Sequence, residues 1–416
     1  MNRRGLLAGA AALGAAAMIA ATPAKAADPI KIGFSMGLTG GLAAAGKAAV
    51  IAMQIWADDT NAAGGLLGRK VELVYYDDQS NPATVPGIYT KLLDVDKVDL
   101  VVSGYGTNLI APAMPIMVQR NLTFVALFGL AVNDKFNYDR YFQILPAGPE
   151  PVTDWSRGFF ELAKAQKPTP KTIALVGADA EFAQNAIRGA RTHAKNYGLK
   201  IVYDGSYPPR TADYSPIVRA IQARNPDVVY VASYPPDSVG MVKAATEIGL
   251  KTKLFGGGMV GLQYTSIMQS LGPKLNGIVN YDFWVPEPTL KFEGVEAFLK
   301  KYQAAAKGKG IDQLGYYLPP YAHAYIDVLG QAVKATNSLD HGKLAEYMRK
   351  TTFKTVVGNV KFAPNGEWAK TRTLMVQYQD IKDNKIETFT KAGTRVVLYP
   401  KDWISGELRY PYTEAR

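Results

Sequence analysis

The chain has 416 residues, a formal net charge of +11 at pH 7, no cysteine and three histidines. A chain of this length divides into two or more domains, each with its own core. The lack of cysteine excludes disulfides and thiolate chemistry, and three histidines far apart in sequence are a poor basis for a metal centre. Lys and Arg are scattered and form no block of five or more like charges. We therefore attribute the excess charge to solubility and expect no nucleic-acid partner.

The first 26 residues have the pattern of an export signal peptide. Arg3-Arg4 precede the apolar run 6–21, and Ala24-Lys25-Ala26 is a small-x-small cleavage site. The apolar run is shorter than the roughly 20 residues that cross a bilayer. The arginine pair indicates the twin-arginine route, and an ordinary secretory peptide is the alternative. Both routes predict cleavage after Ala26 and a periplasmic protein, which we expect to be soluble because no second apolar span follows.

Strand and helix patterns alternate through most of the remaining chain. The predicted apolar strands are 30–35, 71–76, 100–103, 124–127, 172–176, 200–203, 228–232, 253–255 and 277–280. The helical patterns between them include 42–61, 84–94, 182–197, 215–224 and 237–247. Buried parallel strands separated by helices are typical of doubly wound α/β sheets. Because so many strands exceed one sheet, we expect two such lobes.

Three breaks in this alternation predict where the chain crosses between the lobes. They lie at 146–151, at 285–288 and near 357–366, where a hairpin is expected to join VKF to TLMVQYQD across Pro364-Asn365-Gly366. Proline-rich connections of this kind serve either as hinges or as static connectors. The predicted division is 28–146 plus 284–357 for lobe 1, 150–281 plus 360–395 for lobe 2, and 396–416 for a tail near the hinge.

Two motifs raise enzymatic alternatives. Gly33-Phe34-Ser35-Met36-Gly37 matches the G-x-S-x-G elbow of serine hydrolases, but another loop separates it from the next helix and no histidine has an evident triad context. The segment 256–261 matches G-x-G-x-x-G, with Asp282 at the distance of a ribose-binding acid, but it lies in the middle of the chain. An exported dinucleotide-dependent oxidoreductase and an exported serine hydrolase are therefore the less favoured hypotheses.

The stretch 30–82 carries a family resemblance. It contains IKIG, GLTG, NAAGGLLGRK and DDQSNP in that order. These segments, in this order, resemble the N-terminal part of the leucine/isoleucine/valine-binding proteins. Those proteins are type I periplasmic solute-binding proteins of branched-chain amino-acid-type ABC transporters. The resemblance implies two doubly wound lobes joined by three crossovers, and a monomer without cofactor or catalysis. It also implies that the lobes close over a small carboxylate or amino acid and deliver it to an inner-membrane ABC permease.

The segment Gly104-Tyr105-Gly106-Thr107-Asn108 is the first candidate for the ligand site. It follows a predicted strand and offers backbone N–H groups and a hydroxyl at a helix start, which favours a carboxylate. In the family this loop holds the ligand carboxylate, and Thr107 occupies the hydroxyl position. A plain helix N-cap is the alternative role for Thr107.

The remaining site candidates follow from the resemblance, except Phe283 and Trp284, which are named because they lie at a presumed crossover. For each aromatic candidate, a place in the core is the alternative. The amino-acid binders supply an acid to the ligand ammonium near 257–259, but no Asp or Glu lies between 250 and 281 here. A buried ammonium without a counter-charge is costly, so we predict a hydrophobic or aromatic acid ahead of a branched-chain amino acid. Asp179 or Glu181 is the expected partner if the ligand carries an amine. Leu130 stands where the amino-acid binders commonly have a hydroxyl. The predicted ligand-binding residues are Tyr105, Gly106, Thr107, Asn108, Phe128, Gly129, Leu130, Tyr234, Met259, Phe283 and Trp284.

Overall fold

The computed structural model describes residues 28–416, so the predicted signal peptide lies outside the described residues. The first part of the chain forms a five-stranded parallel sheet with strand order β2-β1-β3-β4-β5. Its elements are β1 Ile30–Met36, α1 Ala43–Ala62, β2 Val71–Asp77, α2 Val85–Asp94, β3 Leu100–Tyr105, α3 Thr107–Ile110, α4 Met114–Gln119, β4 Phe124–Leu127 and β5 Tyr141–Gln143.

A second sheet has seven strands in the order β14-β13-β10-β9-β8-β6-β7, in which β13 runs antiparallel to both neighbours. The next elements in the chain are α5 Pro151–Ala165, β6 Thr172–Ala178, α6 Glu181–Asn196, β7 Lys200–Tyr207, α7 Ser215–Gln222, β8 Val228–Ser233, α8 Pro235–Ile248, β9 Leu254–Met259, α9 Thr265–Leu271 and β10 Val279–Asp282. The last elements are α10 Val295–Ala306, α11 Pro319–Thr336, α12 His341–Lys350, β11 Thr352–Thr355, β12 Gly358–Lys361, β13 Leu374–Tyr378, β14 Arg395–Tyr399 and α13 Tyr412–Ala415.

The chain returns to the first sheet after β10. On α1, the indole nitrogen of Trp56 donates to Asp327 of α11 at 3.1 Å, and Lys301 of α10 contacts Asp59 at 2.8 Å. Trp56 packs so closely on α11 that a Cβ at Gly330 would lie 2.4 Å from its ring. Helices α10 and α11 therefore cover the same sheet as α1, although the whole of the second sheet up to β10 lies between them in sequence.

The small residues of α1 bring the helix close to the loop that follows β1. Ala45, Ala48, Ala49 and Ala52 are buried. A Cβ at Gly46 would lie 2.0 Å from the carbonyl oxygen of Gly37, a distance that no side chain tolerates. This close approach fixes the loop 37–42 at the carboxyl end of β1, beside the cavity described below.

The hairpin expected across Pro364-Asn365-Gly366 is present at its turn but wrong in its second strand. The chain turns back there through an antiparallel bridge between Phe362 and Trp368, and VKF does not pair with TLMVQYQD. Strand β12 pairs with β11, whereas β13 joins the second sheet between β10 and β14. Every residue of β13 is buried, so the strand is stabilised inside the large sheet and not in an exposed hairpin. The turn instead packs on β5, where the N–H of Gln143 donates to the Gly366 carbonyl at 2.8 Å. Strand β14 also crosses the boundary that we predicted at 396.

No helix within residues 28–416 combines the length and the apolar character that a membrane span requires.

Candidate functional site

A cavity lies where the carboxyl ends of the two sheets meet, with about 380 Å³ of empty space when the open solvent at its mouth is included. Tyr105 and Phe128 come from the ends of β3 and β4, while Tyr234 and Val260 follow β8 and β9. Ligands of open α/β sheets bind outside the carboxyl ends of the strands, so this is the expected place for a ligand. The cavity is lined by Leu42, Tyr105, Gly106, Thr107, Phe128, Leu145, Trp155, Phe182, Tyr234, Val260, Tyr281 and Tyr317.

Thr107 connects the loop after β3 to the loop after β4. Gly106 takes a φ of 98°, which favours glycine, and Thr107 begins α3 directly behind it. The Thr107 hydroxyl oxygen accepts a hydrogen bond from the N–H of Leu130 at 2.9 Å, and its own hydrogen remains available to a ligand. Helix geometry gives the first-turn N–H groups of Thr107 and Asn108 no intrahelical acceptor. The N-cap alternative for Thr107 is wrong, because Gly106 occupies the cap position.

Gln143 holds the loop that carries Phe128. Its side-chain oxygen accepts from the Phe128 N–H at 3.0 Å, and its side-chain nitrogen donates to the Gly129 carbonyl at 2.7 Å. These bonds support Phe128 at a φ of 63°, a conformation that is strained for a residue with a side chain. Sequence reasoning missed Gln143 because it missed the three-residue strand β5.

Hydrogen bonds between the two sheets close the cleft in this structure. The Tyr234 hydroxyl, after β8, donates to the side-chain oxygen of Asn108 at 2.7 Å. The side chain of Asn185 on α6 donates to the Leu130 carbonyl at 2.9 Å. The two bonds join elements of the second sheet to the loops after β3 and β4, and Tyr234 also lines the cavity.

Neither acid proposed as an amine partner lines the cavity. Glu181 forms an ion pair with Lys135 at 2.9 Å and so bridges α6 to the loop after β4. The N–H of Asp179 donates to the carbonyl of Tyr207, which keeps this residue in the loop after β6. The structure thus places these two acids outside the cavity wall.

Four tyrosine hydroxyls form a chain at the cavity. Tyr105 and Tyr264 are 3.1 Å apart, Tyr281 and Tyr317 are 2.9 Å apart, and Tyr105 and Tyr317 are 3.5 Å apart. Burial raises the pKa of each of these tyrosines above the usual value of 10.0. The phenols are therefore neutral and can both donate and accept hydrogen bonds.

Three predicted lining residues lie behind the cavity wall. Met259 is buried in β9, where its N–H donates to the side chain of Asn280 at 2.9 Å, and its neighbour Val260 lines the cavity instead. The ring of Phe283 packs 4.8 Å from that of Phe128, and the ring of Trp284 packs 4.9 Å from that of Tyr316. Both crossover aromatics thus support the wall without lining it. Asn108, Gly129 and Leu130 likewise contribute through the bonds described above and do not line it.

Several lining residues had no signal in the sequence that marked them. These residues are Leu42, Leu145, Trp155, Phe182, Val260, Tyr281 and Tyr317. Val260, Tyr281 and Phe182 lie within two residues of a candidate named in the sequence analysis. The others belong to segments distant from the predicted loops and reach the cavity only through the tertiary fold. The one available sign was the aromatic density of 316–325, YYLPPYAHAY, at the start of α11. None of the lining residues is Asp, Glu, Lys, Arg or His, so the cavity wall is electrically neutral.

Neither of the two catalytic-looking motifs lies at the place in the fold that its chemistry requires. Ser35 is buried inside β1 and pairs in register with Tyr76 of β2, so it does not lie on a strand-to-helix elbow. The glycines of 256–258 lie inside β9, and the next helix begins only at Thr265. A Cβ at Gly257 would lie 2.4 Å from the Tyr230 ring, so close packing within the sheet requires this glycine.

The fold and the cavity together define a two-sheet solute-binding protein. The family model for periplasmic binding proteins matches residues 29–385, and the chain belongs to that family. The chain is 26% identical to the Leu/Ile/Val-binding protein homolog 7 of Brucella abortus (strain 2308), over 96% of this chain and 98% of the relative. The resemblance found in the sequence is thereby confirmed.

Solved structures confirm the fold class. The branched-chain amino acid transporter substrate-binding protein LivJ of Streptococcus pneumoniae, in complex with isoleucine, has a TM-score of 0.73 and 21% identity, over 89% of this chain and 100% of that one. A solute-binding protein of an ABC transporter from R. palustris, in complex with benzoate, has a TM-score of 0.73 and 17% identity, over 91% of this chain and 100% of that one.

Proposed function

We propose that this protein is the periplasmic substrate-binding component of an ABC uptake transporter and captures a small hydrophobic or aromatic carboxylate. The observation that carries the proposal is the neutral cavity between the carboxyl ends of the two sheets, with Thr107 in its wall. Aromatic side chains give the cavity the apolar surface that an aromatic or branched ligand requires.

The donors at Thr107 suit a carboxylate. The Thr107 hydroxyl hydrogen and the two first-turn N–H groups provide several hydrogen bonds to an anion, and N–H groups at a helix start favour negative charge. An ammonium finds no carboxylate among the residues that line this cavity. Asp237 lines the adjoining cavity beyond Tyr234, where it already accepts hydrogen bonds from the N–H of Arg210 and the hydroxyl of Tyr214. Burying an ammonium without a counter-charge is costly, so an acid without an amine is the better ligand.

We infer that the protein captures its ligand by closing the cleft over it. Thr107 and Tyr105 belong to the first sheet, and Tyr234 and Val260 to the second, so a ligand touching both sets bridges the sheets. A ligand shifts a conformational equilibrium by its differential affinity for the two states. The closed form would then dock on the membrane permease, and the protein performs no chemistry on its ligand.

A branched-chain amino acid is the second candidate ligand. The names of the Brucella relative and of LivJ favour it. The R. palustris protein, which was solved with benzoate, favours an aromatic acid. The two candidates differ in one chemical group, the ammonium, and ligand pairs that differ only there separate them.

The test uses the protein lacking residues 1–26 and two matched ligand pairs, 3-phenylpropionate with phenylalanine and 4-methylpentanoate with leucine. Thermal unfolding is measured with each ligand and binding is confirmed by calorimetry. A ligand at about 100 times its Kd stabilises the folded protein by about 2.7 kcal/mol, which raises Tm by several degrees. We expect the amine-free member of each pair to raise Tm and its amino-acid partner to have little effect.

Two controls accompany this test. Thr107→Val should weaken binding, whereas Thr336→Val, which removes a hydroxyl bonded to the Ala332 carbonyl within α11, should not. If leucine raises Tm more than 4-methylpentanoate does, the branched-chain amino acid replaces the amine-free acid as the proposed ligand. Failure of every acid and amino acid to raise Tm would refute capture of a small carboxylate altogether.

A further inference from the structure

Leu42 and Tyr234 stand between the cavity and a second, outer cavity. Both side chains belong to the wall of both spaces. The outer cavity, like the first, takes residues from both sheets. It is lined by Gly41, Leu42, Ser80, Asn108, Ala180, Pro209, Arg210, Tyr234, Pro236 and Asp237. A shorter side chain at position 42 should therefore connect the two spaces.

The two spaces differ in polarity. Asp237 in the outer cavity is 1% exposed, and one of its carboxyl oxygens accepts from the N–H of Arg210 at 3.0 Å and from the Tyr214 hydroxyl at 2.6 Å. Its other oxygen has no hydrogen-bond partner within residues 28–416. Ser80 and Asn108 add a hydroxyl and an amide. An ammonium thus finds acceptors in the outer cavity, whereas no charged side chain lines the first cavity.

Leu42 borders the carboxylate end of the first cavity. A Cβ at Gly106 would lie 3.7 Å from Cδ1 of Leu42, which is van der Waals contact. Gly106 directly precedes Thr107, where the proposed function places the ligand carboxylate. Only one carbon separates an α-ammonium from its carboxylate, so the two groups occupy the same end of the cavity. Leu42 therefore lies between that end and the acceptors of the outer cavity.

Hydrogen bonds between two loops hold Leu42 in this position. Its N–H donates to the Ser80 hydroxyl oxygen at 3.1 Å, and the Ser80 hydroxyl donates to the Thr39 carbonyl at 2.7 Å. The Thr39 hydroxyl in turn donates to the Asp77 carboxylate at 2.6 Å. These bonds join the segments GLTG and DDQSNP that carry the family resemblance, so both segments fix the backbone that presents Leu42 to the cavity.

We propose that Leu42 seals the carboxylate end of the cavity from the outer cavity and thereby selects against ligands with an α-amine. This inference rests on the proposed function, because it takes the carboxylate to lie at Thr107. With Leu42 in place, an α-ammonium stays in a space without a counter-charge, which is costly. With a shorter side chain, the ammonium reaches the polar groups of the outer cavity, and this cost falls.

The test measures, by calorimetry, how strongly each variant prefers 4-methylpentanoate over leucine, with leucine titrated in competition where it binds weakly. The variants are the wild type, Leu42→Ala, Leu42→Met and Leu199→Ala. Leu42→Met keeps an apolar side chain of similar volume. Leu199 is a matched control, because it is 9% exposed against 7% for Leu42 and lines neither cavity. A second pair, pentanoate and 5-aminopentanoate, carries its amine far from the carboxylate.

We expect the ratio of the leucine Kd to the 4-methylpentanoate Kd to fall about tenfold in Leu42→Ala. The ratio should stay within about twofold of the wild-type value in Leu42→Met and Leu199→Ala. An unchanged ratio in Leu42→Ala would overturn the inference. So would an equal fall in Leu199→Ala, or an equal fall for the pair with the remote amine, because general loosening of the cavity would then be the cause.

The wild type decides the proposed function separately. If it prefers 4-methylpentanoate and Leu42→Ala keeps this preference, the carboxylate proposal stands and only the inference on Leu42 fails. If the wild type binds leucine at least as tightly, or binds neither ligand, both fail together. Should Leu42→Ala not fold, Leu42→Val replaces it, because valine also lacks the Cδ1 atom beside Gly106. An unchanged ratio in Leu42→Val would then overturn the inference.

Discussion

The buried ion pair between Asp282 and Arg395 should be indispensable for the region that carries the cavity wall. A nitrogen of Arg395 lies 3.2 Å from the Asp282 carboxylate, and both side chains are 0% exposed. Asp282 ends β10 and precedes the crossover with Phe283, while Arg395 begins β14. The Arg395 guanidinium also lies 5.3 Å from the ring centre of Tyr316, next to Tyr317. The pair thus fixes the strand edge, the crossover and the start of α11 together.

We expect Arg395→Met to destabilise the protein strongly and in a pH-dependent way. Removing one partner of a buried ion pair leaves an uncompensated charge and costs about 3–5 kcal/mol. Burial already raises the pKa of Asp282 to about 6, and Arg395 opposes this rise. Without Arg395 the pKa of Asp282 rises further, so the carboxyl becomes neutral near pH 5. The loss should therefore be about 3–5 kcal/mol near pH 7.5 and smaller by at least about 1 kcal/mol near pH 5.

Urea unfolding at both pH values measures this loss as a change in the free energy of unfolding. The double variant Asp282→Asn/Arg395→Met is the matched control, since it removes both charges and should recover much of the stability. A loss below about 1 kcal/mol at both pH values would refute the reasoning. So would a double variant as unstable as Arg395→Met near pH 7.5, because the buried carboxylate would then not be the cause.

Three further predictions concern the site and its surroundings. Thr107→Val removes the hydroxyl that accepts from Leu130 and should raise the calorimetric Kd about tenfold; an unchanged Kd would exclude Thr107 from the site. Asn108→Ala removes the acceptor of Tyr234, so the closed state should be less populated and Kd should rise about fivefold, with small-angle scattering showing a larger radius without ligand. Burial lowers the pKa of His323 to about 4, below its unfolded value near 6.5. The stability that neutral His323 contributes is thus complete above pH 6.5 and is lost as pH falls toward 4. His323→Gln should remove up to about 3 kcal/mol of this acid dependence in urea unfolding, and an unchanged pH profile would contradict the assignment.

Most of the fold was predictable because each long strand is marked by an apolar run within its own segment of the sequence. A run such as 228–233 is buried throughout, and an apolar run between helical patterns reads the same in sequence as in structure. Strand β5 spans three residues and gave no such signal. The pairing of β13 was also beyond local reasoning, because its position is decided by contacts with β10 and β14 that are distant in sequence.

The site was predictable only where it follows strand ends. Tyr105 ends β3, Thr107 lies just beyond it and Tyr234 follows β8. The carboxyl ends of parallel strands share one edge of the sheet. Trp155 and Tyr317 reach the same cavity from helix starts whose placement depends on the crossovers. No pattern within a single segment indicates that such residues meet.

On the proposed function, the neutral wall and the closed cleft both favour ligands that carry a carboxylate but no amine. Closure removes water, which strengthens every electrostatic interaction inside the cavity. A carboxylate still finds the hydroxyl of Thr107 and backbone N–H groups, so its charge is solvated by fixed dipoles. An ammonium in the same closed space faces tyrosine oxygens and aromatic rings but no carboxylate. The preference for amine-free ligands that we propose should therefore grow as the cleft closes more tightly.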